Sequence, residues 1–261
     1  MYPYEIIFGL DLYQICFAVG FFCCLLYFRF WADKRGFSAR FQNLCIIAAV
    51  VAVLVGIGSA VLTQAFYNYV EDGKFAVTNN TGATFYGGLI GGAATFLLVY
   101  FIGGAYLLPQ GETKKNFISL SEIAGGSIAL AHGFGRLGCL FAGCCHGAVT
   151  DAWYGIHHVA IGAKTVPVQL FEALFLFALV AFLTYRLHKG QHGNLALYLA
   201  IYAIWRFFLE YFRHDDRGQT VVSFLTPSQL TAVILFIVGI ALLLLEDYLR
   251  ERKAKGEESG S

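Results

Sequence analysis

Two arginines stand where lipid should be. Arg136 sits in the run A-H-G-F-G-R-L-G-C-L-F-A-G-C-C-H-G, and Arg206 in W-R-F-F-L-E-Y-F-R. Charges inside membrane spans are costly and mark function as a rule. His132, Arg136 and Cys139 recur at i, i+4 and i+7, so one helical face carries all three. Tyr202, Arg206, Glu210 and Arg213 recur at i, i+4, i+8 and i+11 and share a face in the same way. Arg206 and Glu210 can pair along the helix, and Arg213 can reach Glu210 from the next turn. Gln169 and Glu172 open a third apolar run, P-V-Q-L-F-E, and Tyr86 opens a fourth, F-Y-G-G-L-I-G-G. A guanidinium keeps its charge at ordinary pH, so two of them facing inward need an anion. Glu172 and Glu210 can supply it. A phosphate can too, because its oxygens match the arginine fork, and in an outer leaflet the abundant phosphate is a phospholipid head group.

Cys139, Cys144, Cys145 and His146 form C-x4-C-C-H. This spacing matches no zinc pattern, and Arg136 would repel a cation, so no metal is placed here. No cofactor is expected anywhere. Three readings of these thiols stay open: redox pairing on a disulfide-permissive face, a covalent lipid intermediate, and plain packing. Cys16, Cys23, Cys24 and Cys45 lie in or beside the first two spans and read as packing residues. His157 and His158 read as exposed loop residues. Glycines at 133, 135, 138, 143 and 147 weaken the helix and allow close approach, so it is expected to bend or break near 143–147.

These residues need membrane helices to position them. Of 261 residues, 58% are hydrophobic and 13% charged, whereas a soluble domain carries about 25% charged residues. A net charge of +1 gives no electrostatic case for nucleic acid. Seven apolar runs, 12–28, 44–66, 83–108, 122–145, 167–185, 193–212 and 218–245, predict an all-α integral membrane protein with seven transmembrane helices. The start of the last run reads as loop. Residues 1–250 form one transmembrane domain, because no gap holds a soluble one. Residues 251–261 read as a polar cytoplasmic tail, structureless from 256 and in part an added scar.

Cations alternate by side. Arg29, Lys34, Arg35, Arg40, Lys114, Lys115, Arg186, Lys189, Arg250, Arg252, Lys253 and Lys255 fall on one face. Lys74, Lys164, Arg213 and Arg217 fall on the other, among Glu5, Asp11, Glu71, Asp72, Asp151, Asp215 and Asp216. The positive-inside rule then puts the N-terminus outside and the C-terminus in the cytoplasm. Residues 1–11 lack the basic region of a signal peptide, so the first span is expected to stay.

The order and spacing of F-Y-G-G-L-I-G, G-R-L-G-C, P-V-Q-L-F-E and W-R-F-F-L-E-Y-F-R resemble the prolipoprotein diacylglyceryl transferase family over most of the chain. The resemblance implies a bacterial inner-membrane enzyme that moves the diacylglyceryl group of phosphatidylglycerol to the lipobox cysteine of a prolipoprotein. It places the family's two essential arginines on Arg136 and Arg206 and the following acid on Glu210. It makes Gln169, Glu172 and Arg213, with Gly87 and Gly88, the expected substrate contacts. The family's usual His is Tyr86 here, two asparagines are Cys139 and Ala142, and an acid is Cys144. Cys139 therefore joins the expected catalytic set, and Cys144, Cys145 and His146 the substrate-binding set, of a cysteine-rich branch. The base stays open among Tyr86, His132, His146 and Glu210. A monomer is expected. The rival readings are a related transferase with another thiol or lipid acceptor, and a lipid or anion transporter without chemistry.

Overall fold

The computed structural model describes residues 5–7, 9–73, 75–78, 81–213 and 224–258. Its helices are α1 (Leu12–Lys34), α2 (Ala39–Asp72), α3 (Phe85–Leu98), α4 (Gly104–Leu107), α5 (Glu112–Ala142), α6 (Val168–His188), α7 (Asn194–Leu209) and α8 (Pro227–Glu258). A π-helical turn, Val99–Gly103, joins α3 to α4. Among the described residues, seven stretches are long and apolar enough to cross a membrane. Helices satisfy every backbone group internally, which hydrocarbon demands.

Three differences from expectation stand out. Two short antiparallel hairpins accompany the helices: β1 (Glu5–Ile7) with β2 (Leu10–Asp11), and β3 (Ile156–His158) with β4 (Ala163–Thr165). Strands this short leave little period-two signal in the sequence. The tail expected to be structureless from residue 256 is helical through Glu258. His158, expected to be exposed, is buried on β3, whereas His157 faces outward. Lys74, Asp215, Asp216 and Arg217, used in the charge count, lie outside the described residues.

The chain forms two compact units, residues 32–117 and residues 1–31 with 118–261. In the first, α2 and α3 pack through small residues. A Cβ on Gly88 would lie 3.3 Å from the Gly56 carbonyl, and one on Gly92 would lie 3.2 Å from that of Ala52. A Cβ on Gly87 would meet the Ser59 carbonyl at 2.9 Å. Lipid tails are as apolar as leucine, so helices associate here by close backbone approach rather than by escape from water. Gly87 and Gly88 are also packing positions. Tyr86 precedes them in the same turn and is 41% exposed.

In the second unit, α5, α6 and α7 enclose a core of Ala129, Leu176, Leu179, Leu183, Tyr198 and Tyr202. Glu122 on α5 accepts from the backbone N–H groups of Gly193 and Asn194, both at 2.9 Å. This places a carboxylate on the otherwise unsatisfied donors at the α7 N-terminus. Arg250 on α8 stands 3.3 Å from the same carboxylate. Close approach recurs at Gly239 of α8, where a Cβ would lie 2.9 Å from the Ala196 carbonyl of α7.

Gly125 and Gly135 share α5 but not an environment. A Cβ on Gly125 would fall 2.6 Å from the Asn194 carbonyl oxygen, whereas one on Gly135 meets nothing within 4 Å. Gly125→Ala is expected to cost about 1–3 kcal/mol, as overpacking against backbone does. Gly135→Ala should be neutral or stabilising by up to about 1 kcal/mol. Thermal unfolding of the detergent-purified variants checks the contrast.

Candidate functional site

The candidate site lies in the second unit, where α5 ends. The helix stops at Ala142, as the glycine run predicted. Gly143 follows with φ 73°, and Cys145 adopts φ 61°, the one positive φ among the described non-glycine residues. A left-handed cysteine is strained, and such strain persists only where the surroundings enforce it. Those surroundings can be named. His158 Nε2 bonds the Gly143 carbonyl at 2.6 Å, and Gln169 Nε2 donates to the Cys144 carbonyl at 2.6 Å. The Gly147 N–H donates to Val166 at 2.9 Å, and the Ala148 N–H to Phe212 at 3.2 Å. The turn is thereby tied to β3, to the start of α6 and to the end of α7.

Within this turn the sulfurs of Cys139, Cys144 and Cys145 all lie within 4.8 Å of one another. Cys144 is exposed and the other two are half-buried. The Arg213 side chain, 7% exposed, stands beside Cys145 and acts on it electrostatically. His146 turns its Nδ1 toward the Gly147 carbonyl at 2.9 Å, and its ring packs against that of His158 at 4.6 Å.

Deeper in the unit the two arginines each face a carboxylate. Arg136 Nε lies 3.1 Å from Glu172 Oε1, from the first turn of α6. The same Nε is 3.4 Å from His132 Nε2, one turn back on α5. His132 Nδ1 is 3.0 Å from the Tyr198 hydroxyl. A guanidinium cannot accept, so Nε2 must, and the proton sits on Nδ1 facing Tyr198. The Tyr202 hydroxyl donates to Glu172 Oε1 at 2.6 Å. Glu172 is completely buried, and its electrostatic neighbours are Arg136, His132 and Arg206.

Arg206 Nη2 lies 2.9 Å from Glu210 Oε2 and 2.8 Å from Ser228 Oγ. Arg213 Nε reaches the same Glu210 oxygen at 3.9 Å. Both pairings along the helix therefore form as the spacing predicted. Thr226 Oγ1 donates to the other Glu210 oxygen at 3.1 Å. Thr226 and Ser228 were not anticipated as site residues, yet T-P-S-Q carries a legible signal. Thr226 and Gln229 exchange side chain–backbone bonds at 3.1 and 3.2 Å, a capping box that starts α8 beside Arg206.

The pairing of each arginine with its own acid differs from an arginine pair held open for one ligand. It still leaves unmet polar demand. Among the described residues, Arg206 Nη1, Glu172 Oε2 and Gln169 Oε1 are buried without a hydrogen-bond partner. A buried donor without a partner costs about 1–3 kcal/mol, and more when charged. Arg206 Nη1 is therefore a ready donor to an anion, and the two oxygens are ready acceptors of hydroxyl groups. Tyr86, Gly87 and Gly88 belong to the other compact unit.

A family model described as Prolipoprotein diacylglyceryl transferase matches residues 4–245 of this chain. A phosphatidylglycerol–prolipoprotein diacylglyceryl transferase 2 of Clostridium perfringens is 32% identical over 263 residues, covering 97% of each chain. A phosphatidylglycerol–prolipoprotein diacylglyceryl transferase of Clostridium tetani is 27% identical, covering 94% of this chain and 97% of its own. One from Rickettsia canadensis is 26% identical, covering 90% of this chain and 92% of its own.

The neighbouring Cys139 and Cys144 thiols, with Arg213 beside them, hold the Cys145 thiol below the usual thiol range. A lowered pKa keeps the thiolate present to lower pH. In the presence of chelator and reductant, iodoacetamide alkylation of Cys145 is expected to reach half its plateau below pH about 8.5, the value of a free thiol. Arg213→Gln should move that midpoint upward. Peptide mass spectrometry across a pH series checks it, and an unshifted or raised midpoint contradicts the arrangement.

Proposed function

The chain belongs to the prolipoprotein diacylglyceryl transferase family, and from that membership we propose that it moves the diacylglyceryl group of phosphatidylglycerol to the thiol of a prolipoprotein lipobox cysteine, releasing glycerol phosphate. The observation that carries the reading is the buried Arg206 Nη1, without a partner among the described residues, beside two arginine–carboxylate pairs. A phosphodiester supplies the missing acceptor. The head-group glycerol of phosphatidylglycerol supplies hydroxyl donors for Gln169 Oε1 and Glu172 Oε2. One head group thus answers three unmet demands of opposite kinds.

The chemistry is displacement at a glycerol carbon. The acceptor sulfur forms the new C–S bond, the C–O bond breaks, and its electron pair leaves on phosphate oxygen. Charge gathers on that phosphate as the bond breaks, which is where a fixed guanidinium is most useful. Arg206 takes this part, while Arg136 holds Glu172 in place. Glu210 orients Arg206 and Arg213. Cys139, Cys144, Cys145 and His146 stand on the acceptor side, at the turn that caps α5. His132 accepts from Arg136 and holds it rather than serving as the base.

The protein lies in the bacterial inner membrane as a multi-pass monomer, with its N-terminus outside and its C-terminus in the cytoplasm. The twelve cations on the C-terminal side support that orientation. The end of α5, the β3–β4 hairpin and Arg213 then face outward, where prolipoproteins emerge.

Arg206→Ala and Arg136→Ala are each expected to lower transfer by about 10²–10³-fold, the usual effect of removing one donor to developing charge. Arg206→Lys should not restore it, because an ammonium lacks the planar fork. The assay is diacylglyceryl transfer from phosphatidylglycerol vesicles to a lipobox peptide, with glycerol phosphate release measured in parallel. Full transfer in both alanine variants would sink the reading. Substrate flux in proteoliposomes without glycerol phosphate release would favour a transporter.

A further inference from the structure

The thiol trio adjoins the arginine network through Arg213, and its backbone is held in place by several named contacts. We propose that Cys139, Cys144 and Cys145 form a three-sulfur site for a thiophilic divalent metal ion, zinc in particular, whose fourth position is open to an incoming thiol. Zinc binds cysteine sulfur at about 2.3 Å, which sets tetrahedral sulfurs about 3.8 Å apart. The three sulfurs already lie within 4.8 Å of one another, so closure onto an ion needs at most about an ångström of side-chain rotation. The ligands come from both sides of the left-handed Gly143, which turns the chain so that sulfurs five and six residues apart converge. Residue spacing alone hides this, because the known zinc patterns use other turns.

Two further observations point to a ligand rather than to packing. First, Cys145 is held at φ 61°, and buried His158 and Gln169 fix the carbonyls of Gly143 and Cys144. Such outer contacts are what orient metal ligands. Packing alone would not require a strained cysteine beside an exposed one. Second, the charges suit the complex. Three thiolates and a divalent ion sum to −1, so Arg136 near Cys139, expected to repel a bare cation, and Arg213 beside Cys145 both stabilise the loaded site.

Three protein ligands with a free fourth position characterise reactive rather than purely structural zinc sites. An entering thiol replaces water, forms a Zn–S bond and gives its proton to solvent. Its sulfur electron pair then makes the C–S bond as the C–O bond to phosphate breaks, and the neutral thioether departs. Nothing is oxidised or reduced. This places thiol activation at the cysteine turn, apart from His132, whose two ring nitrogens face Arg136 and Tyr198. The identity of the incoming thiol rests on the transferase reading; the metal site itself does not.

The test uses the whole detergent-solubilised chain, stripped with chelator under reductant and titrated with Co²⁺ as a spectroscopic stand-in for Zn²⁺. The expected result is one Co²⁺ per chain with sulfur-to-cobalt charge transfer and tetrahedral d–d bands. Binding should weaken at least tenfold in Cys139→Ser, Cys144→Ser and Cys145→Ser, and be unchanged in Cys45→Ser. A lipobox cysteine peptide should shift the d–d bands, and its serine counterpart should not. X-ray absorption of the unaltered Zn²⁺ protein, with three sulfurs at about 2.3 Å, supports the site even if a variant fails to fold. Binding below a tenth of an equivalent, a first shell without sulfur, or a disulfide within the trio that persists under reductant overturns it. Cobalt bound without any transfer activity would overturn the transferase reading and leave the site standing. Transfer that survives complete metal removal would overturn the metal's part in activating the thiol.

Discussion

An arginine inside a membrane helix bundle survives only beside a carboxylate, and Glu172 is the carboxylate that this unit is built around. It is fully buried, receives the Tyr202 hydroxyl and the Arg136 guanidinium on one oxygen, and lies in the field of Arg206. Three helices meet there: α5 brings Arg136, α6 brings Glu172 and α7 brings Tyr202. Removing one partner from such a cluster leaves an uncompensated charge in a low-dielectric interior, which costs about 3–5 kcal/mol. The network therefore fixes the relative depth of three helices more firmly than their apolar contacts could, since these compete with equally apolar lipid.

The rest of the unit follows from keeping that cluster closed. Tyr198 and Tyr202 stack with ring centroids 6.0 Å apart and cover His132 from the α7 side. Gly125 and Gly133 of α5 admit Asn194 and Phe177, so α5 can approach both neighbours closely enough for a 3.1 Å ion pair. Glu122 ties the far end of the same helix to the α7 N-terminus. One long helix thus carries a charged anchor at each end and small residues between.

Much of this was legible in the sequence, for local reasons. Spans follow from run length, the Arg206–Glu210 pair from one helical turn, and the end of α5 from clustered glycine. What was hidden depends on contacts between segments distant in the chain. Nothing local says that Arg136 meets Glu172 rather than a ligand, because the partners are 36 positions apart. His158 looked exposed because a polar loop surrounds it, whereas its ring is drawn inward by the Gly143 carbonyl. The convergence of the three sulfurs depends on two left-handed residues, one of them a cysteine that no propensity would place there. Ser228 escaped notice because a single serine carries no weight until the capping box at Thr226 sets where α8 begins.

The two arginines looked equivalent in the sequence and are not. Arg136 spends its Nε between a carboxylate and an imidazole, both on well-packed helices. Arg206 engages Glu210 and Ser228 through Nη2, and its buried Nη1 has no partner among the described residues. Differential binding favours donors that are pre-aimed but unsatisfied, because an already saturated donor must break a bond before it can help a transition state. On the proposed reading Arg206 is then the contact to the departing phosphate, and Arg136 is the counter-charge that faces Glu172. Loss of either would slow transfer by a different route. Without Arg206 the leaving group loses its donor. Without Arg136 the carboxylate is left buried and uncompensated, and it either takes up a proton or draws Arg206 away from the phosphate.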